Sequence, residues 1–314
     1  MTLQMIDPEL GPFLEMWRAA WSGLAPDASA QDRRAIIDRI SADARQPLPA
    51  GIESKVMVAR HGLRTVRVVV FRKVQNDPAP CLIYMHGGGF MQGSPETHDE
   101  IAVGIVAKTG QTVVSVDYSL APERPFPAAV MDCETAVYWV FESASDLAIR
   151  ADAVSVGGDS AGANLAAVMA LVFRDRPQSL KGQLLFYPVV DTDLTRPSYT
   201  RNTNGPIITT AAVQQTWALY CGSDDVRNQS ALVAPLRAPN HHRLPPAFVA
   251  VAENDPLLDE GLAYADVLGR SGVPVELRTG AGLIHGYLRA MQYSQAVRRE
   301  FDAACNWLRR LYAV

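Results

Sequence analysis

The chain opens on two amphipathic stretches and then settles into an alternation of short apolar runs with longer helical ones. Phe13, Met16, Trp17, Ala20 and Trp21 recur at helical spacing, and Ile36, Ile37 and Ile40 repeat the pattern. β-Branched runs at residues 56–60 and 65–72, with His61-Gly62 between them, predict a hairpin. Further strands are predicted at 81–86, 112–117, 153–158, 183–187, 247–252 and 273–279. Runs such as Leu82-Ile83-Tyr84 and Val113-Val114-Ser115-Val116 are apolar at successive positions. Strands covered by helices on both faces need that pattern. Helices are predicted at 98–108, 128–142, 161–173, 259–271 and 293–311. An antiparallel start followed by βαβ alternation gives an α/β protein with a mostly parallel eight-stranded sheet flanked by helices.

Two segments break this rhythm: residues 1–50, and residues 190–240 with a helix predicted at 210–220 between Pro- and Asn-rich loops. Both are too long to be simple connections. They are assigned to a helical cap, leaving 51–189 and 241–314 as the α/β core.

Composition adds mainly exclusions. A net charge of −4 over 314 residues, without a dense Lys/Arg block, makes nucleic acid an unexpected partner. The N-terminus lacks a basic stretch followed by an apolar one, and no apolar run has the length of a membrane span, so a cytoplasmic protein is expected. Cys81, Cys133, Cys221 and Cys305 form no CxxC pair and read as buried thiols.

The strongest chemical signal is Gly158-Asp159-Ser160-Ala161-Gly162, a G-x-S-x-G placed between a predicted strand and an Ala-rich helix. A serine on such a sharp turn is strained and exposed, with a helix N-terminus behind it to stabilise negative charge. His86-Gly87-Gly88-Gly89-Phe90 follows another strand, and its glycines free backbone N–H groups to face a developing oxyanion. No Gly-Lys-Ser/Thr or GxGxxG accompanies it, which argues against a phosphate loop. His86 itself reads as structural. A serine nucleophile needs a base and an orienting acid. His285 follows the last predicted strand, and Asp255 follows the one before it, with Pro256 fixing the turn. The order Ser160, Asp255, His285 is that of the α/β hydrolases.

These motifs, with Asp117-Tyr118-Ser119-Leu120-Ala121-Pro122-Glu123 and Asp255-Pro256-Leu257, resemble the hormone-sensitive-lipase-like (bacterial type IV) esterases, in the branch whose turn reads Gly-Asp-Ser-Ala-Gly. The resemblance runs from about residue 50 to the C-terminus. It implies the α/β-hydrolase fold with a cap, and a carboxylesterase acting through Ser160, Asp255 and His285. It further implies oxyanion donors at Gly88, Gly89 and Ala161. Ser119 departs from the family, which usually has Arg there. The expected partner is a small ester with a short to medium acyl chain, met by an apolar pocket of Trp17, Trp21, Ile207 and Tyr220. No metal or cofactor is called for. A homodimer through the edge of the last strand is a further expectation. Acyl transfer or amide hydrolysis would use the same triad, and a non-catalytic receptor on this fold would lack His285.

Overall fold

The computed structural model describes residues 5–25, 28–75, 77–222 and 230–312. Its centre is one eight-stranded sheet. β1 (Ile52–His61) and β2 (Arg64–Lys73) form the opening hairpin. They are followed by β3 (Ala79–Met85), β4 (Thr112–Asp117), β5 (Ile149–Asp159), β6 (Gln183–Phe186), β7 (Ala247–Asn254) and β8 (Val275–Ile284). Strand order is β1-β2-β4-β3-β5-β6-β7-β8, and only the β1–β2 and β2–β4 pairs are antiparallel. Every residue of β6 is buried, whereas β1 at the outer edge is mostly exposed. The apolar runs therefore mark the middle of the sheet, where water reaches neither face.

Helices α1 (Gly11–Trp21) and α2 (Ala30–Ala44) precede the sheet. Ser29 and Asp32 start α2 with a reciprocal capping box, each satisfying the other's backbone N–H. Helices α3 (Asp99–Thr109), α4 (Ala128–Glu142), α5 (Ala161–Phe173), α8 (Leu258–Arg270) and α9 (Gln295–Leu311) cover the faces. Between β6 and β7 lie α6 (Pro197–Arg201) and α7 (Thr210–Cys221). Nearly every residue of α5 is buried, as a helix apolar all round must be. Two apolar clusters form, one joining α4, α5, α7 and α8 to one face of the sheet and the other joining α1, α3 and α9 to the opposite face.

The segments set apart by sequence both lie against loops that leave the C-terminal ends of the strands. Arg34 of α2 donates to the Met91 carbonyl at 2.7 Å and the Ala121 carbonyl at 2.9 Å, and pairs with Glu123. On the other side, Phe126 donates its N–H to the Tyr220 carbonyl of α7 at 2.8 Å. Ser119, where the sequence departs from its family, donates its N–H to Asp132 at 2.9 Å. Arg64 of β2 takes the other oxygen of Asp132 at 2.9 Å. The serine is thus accommodated by a carboxylate that also binds a guanidinium. Among the described residues, no helix is long and apolar enough to cross a membrane.

Candidate active site

Ser160 sits between the end of β5 and the start of α5 with φ +53° and ψ −118°. A non-glycine residue held there costs of order 1–3 kcal/mol, so the surroundings must impose it. They do so through the backbone: the Ser160 N–H donates to the Phe186 carbonyl at 2.9 Å, and its own carbonyl accepts from the Asn164 N–H at 3.1 Å. Close approach helps as well, since a Cβ on Gly162 would lie 1.9 Å from the Met85 carbonyl oxygen. Only glycine lets the end of β3 press against the turn.

His285 follows β8 directly, and its Nε2 lies 2.9 Å from the Ser160 hydroxyl. Its Nδ1 lies 2.7 Å from Asp255 Oδ2, at the end of β7. The remaining Asp255 oxygen accepts the Leu257 N–H at 2.9 Å, and Asn202 donates to the Asp255 carbonyl at 2.9 Å. A carboxylate held on both oxygens fixes which ring nitrogen carries the proton. Nδ1–H faces Asp255, and Nε2 is left as an acceptor for the serine. Tyr187 packs its ring edge-on against the imidazole, with centroids 4.9 Å apart.

The glycine loop leaves β3 on the other side of Ser160. Gly88 has φ +124°, and an added Cβ would meet the Gln92 carbonyl oxygen at 2.0 Å, so this position requires glycine. The Gly88 carbonyl is occupied by the N–H groups of Met91 and Gln92, both at 3.1 Å. Ala161 is the first residue of α5, where a helix presents unpaired N–H groups. Gly88 and Gly89 follow β3 and Ala161 opens α5, two elements that meet at the serine turn where Gly162 lies against Met85.

The expected pocket residues divide. Ile207 lies beside His285, its Cγ2 3.8 Å from where a Gly286 Cβ would be. Trp17 is buried and tilted against Phe13 and Trp21, in the cluster that takes Ile207 at its margin. Trp21 is half-buried there. Tyr220 lies on the inner face of α7. It is 1% exposed and stacked on Phe90 with centroids 3.8 Å apart, so it is core and not an open wall. Helical period explains this: Val213, Trp217 and Tyr220 share the inward face of α7. Beside these, Thr216 of α7 meets Gly89 itself, with its Oγ1 3.2 Å from a Cβ built there. Sequence reading passed over it, because a threonine in a helix carries no sign of the face it occupies.

His98, read from sequence only as a helix start, is 2% exposed. It stands with Asp159, Tyr84 and Arg289 directly behind the serine turn. Burial pushes the His86 pKa down to about 3, so this histidine is a neutral structural group, as its sequence position implied. Its Nδ1 donates to the Gly87 carbonyl at 2.8 Å, and its ring stacks on Tyr118. A separate cavity of about 690 Å³ lies between α1, α2, α3 and the 3₁₀ turn Tyr287–Ala290. It reaches His98 and Arg289 but is not lined by Ser160 or His285. No group of three or more possible metal ligands occurs among the described residues.

An imidazole wedged between a strained serine and a buried carboxylate, at the strand ends of this sheet, places the protein in the class of α/β hydrolases. Comparison with known proteins narrows the class. The model of an alpha/beta hydrolase fold family matches residues 82–289. A carboxylesterase of Mycobacterium tuberculosis, NlhH, is 40% identical over 235 residues, 74% of each chain. An arylesterase of Saccharolobus solfataricus is 32% identical over 93% of this chain and 95% of its own. The crystal structure of a thermostable esterase from Pseudomonas putida superposes with a TM-score of 0.92 at 30% identity, covering both chains completely. The chain belongs to the α/β-hydrolase family and, within it, to the hormone-sensitive-lipase-like esterases.

Proposed function

We propose that this carboxylesterase cleaves short- to medium-chain carboxylic esters through an acyl-enzyme on Ser160. The observation that carries the reading is the unbroken line Ser160–His285–Asp255, with contacts of 2.9 and 2.7 Å. His285 Nε2 takes the hydroxyl proton as Ser160 Oγ attacks the ester carbonyl carbon. The carbonyl oxygen, now negative, is held by the N–H groups of Gly88, Gly89 and Ala161, with the positive end of α5 behind it. Collapse expels the alcohol, which receives the proton from His285 and leaves the acyl group on Ser160. A water molecule then gives its proton to His285, attacks the acyl carbon and releases the carboxylic acid, and the proton returns to Ser160. Asp255 stays ionised and stabilises the imidazolium in both steps.

Residues 1–50 and 190–240 act as the cap. Ser160 is only part-buried, with Ile207 against Gly286 and Thr216 against Gly89, which supports small or medium acyl groups. β8 is the last strand of the sheet and pairs with β7 alone among the strands, which supports a homodimer joined edge to edge. A fluorophosphonate probe with peptide mapping is expected to mark Ser160. Nitrophenyl esters of graded length are expected to be hydrolysed best at the short to medium end, and Ser160→Ala to lose both label and turnover. Retention of label and activity by Ser160→Ala would overturn the reading. Gel filtration of the full chain reports the dimer separately.

A further inference from the structure

Beneath the Ser160 turn lies a buried polar cluster that the triad does not use. Asp159 ends β5, immediately before the serine, and is 4% exposed. Its Oδ1 accepts the Tyr84 hydroxyl at 2.8 Å and the Gly87 N–H at 2.9 Å. Its Oδ2 lies 3.5 Å from the Tyr187 hydroxyl. His98 Nε2 stands 3.5 Å from Asp159 Oδ1 and 3.1 Å from Arg289 Nη2. A guanidinium only donates, so His98 Nε2 is the acceptor of that bond and His98 is neutral. The charges of the cluster are then Asp159 and Arg289, with His98 between them. Burial alone would raise the Asp159 pKa, whereas the charge of Arg289 and the Tyr84 hydroxyl lower it.

The placement of this carboxylate is what sets it apart. It is bonded through the chain to Ser160 and hydrogen-bonded to the N–H that opens the glycine loop. The packing there is tight, since a Cβ on Gly87 would come within 2.3 Å of Asp159 Oδ2. Consecutive glycines have the widest backbone freedom of any sequence, whereas oxyanion donors work only when held close to one geometry. A charge-assisted bond from a peptide N–H is a strong way to remove that freedom. The same charge would repel a developing oxyanion unless it were absorbed; Tyr84 and Gly87 donate to it directly, and Arg289 stands beyond His98.

We propose that Asp159 is a positioning residue that sets the Gly88–Gly89 N–H groups against the Ser160 hydroxyl, with Arg289 as its counter-charge. This rests on reading Ser160 as the nucleophile and the glycine loop as its oxyanion site. The test uses the full-length enzyme, nitrophenyl acetate turnover, and inhibition by phenylboronic acid, whose tetrahedral adduct on Ser160 presents an oxygen to the same N–H groups. Asp159→Asn keeps the shape and removes the charge. It is expected to lower kcat about 10- to 100-fold, with KM within about threefold, and to weaken the boronate by the same factor as kcat/KM.

Tyr84→Phe removes one donor from the same oxygen without touching the loop. It is expected to cost about 3- to 10-fold in kcat, again in parallel with the boronate. If Asp159→Asn does not fold, Tyr84→Phe decides. Variants that lose thermal stability while kcat and boronate affinity stay within twofold of wild type would make Asp159 a structural tie and overturn the proposal. Fluorophosphonate mapping separates the two levels. A wild-type label away from Ser160 overturns both readings, whereas a label on Ser160 with unchanged variant kinetics overturns only the positioning role.

Discussion

Asp255 and His285 are 30 residues apart in the chain, yet their side chains meet at 2.7 Å, each buried and each placed by the end of a neighbouring parallel strand. Adjacent parallel strands deliver their following loops to the same end of the sheet, so β7 and β8 bring acid and base together without any local sequence signal. Asp255→Asn keeps the volume and the bond from Leu257 but no longer enforces the Nδ1–H tautomer of His285. It is expected to reduce kcat by about 1,000- to 10,000-fold while the circular dichroism spectrum stays that of the wild type.

The Gly88 backbone is incompatible with a side chain for two independent reasons, its φ of +124° and the Gln92 carbonyl oxygen 2.0 Å from any Cβ. Gly88→Ala must therefore move the loop. Turnover of nitrophenyl acetate is expected to fall about 100- to 1,000-fold, the range for losing one oxyanion donor. The rest of the sheet does not depend on this loop, so the far-ultraviolet spectrum should be preserved.

Arg34 ties α2 to two backbone carbonyls, of Met91 and Ala121, and to the partly exposed Glu123. The carbonyl bonds matter more, because the ion pair with a half-exposed glutamate is screened by water. Arg34→Met is expected to lower unfolding free energy by about 1–2 kcal/mol. Limited proteolysis should then cut sooner within residues 1–50, while the rate of Ser160 phosphonylation changes little.

Glu260 is fully buried and accepts the Val190 N–H at 2.6 Å, the Asp191 N–H at 3.3 Å and the Tyr199 hydroxyl at 2.7 Å. Burial outweighs these bonds and raises its pKa from 4.5 to about 8. The folded protein therefore keeps the proton up to about pH 8, whereas the unfolded chain releases it above 4.5. Where the folded state binds more protons, stability falls as pH rises, and the window runs from 4.5 to about 8. Glu260→Gln is neutral throughout. Its Tm is expected to decline less than that of the wild type across this window, by differential scanning calorimetry, and a parallel decline in both would contradict the assignment.

Much of the sheet was legible because its strands are buried on both faces, and burial writes a continuous apolar run. Boundaries were missed where that logic lapses. β8 runs on to Ile284 through Gly280, Ala281 and Gly282, residues without the bulk that marks a strand. β5 begins at Ile149, through the polar Arg150 and Asp152. The serine, the carboxylate and the imidazole each follow a strand end, so topology and spacing sufficed to single them out. Tyr220, Thr216 and His98 were not legible for a different reason. An aromatic, a threonine or a histidine in or beside a helix shows its identity but not the side it faces, and that side is decided by packing against elements far away in the chain. The Asp159–His98–Arg289 cluster joins residues 130 apart by number, a relation that no local pattern carries.

The left-handed dihedral of Ser160 also limits what else this turn could become. Cysteine has the same single heavy substituent on Cβ and fits the strained backbone unchanged, whereas a β-branched threonine is a genuine outlier at positive φ. The scaffold can exchange an oxygen nucleophile for a sulfur one in a single step, but it bars a secondary alcohol. Main-chain geometry has thereby drawn the boundary of its evolutionary repertoire before any neighbouring side chain has a say.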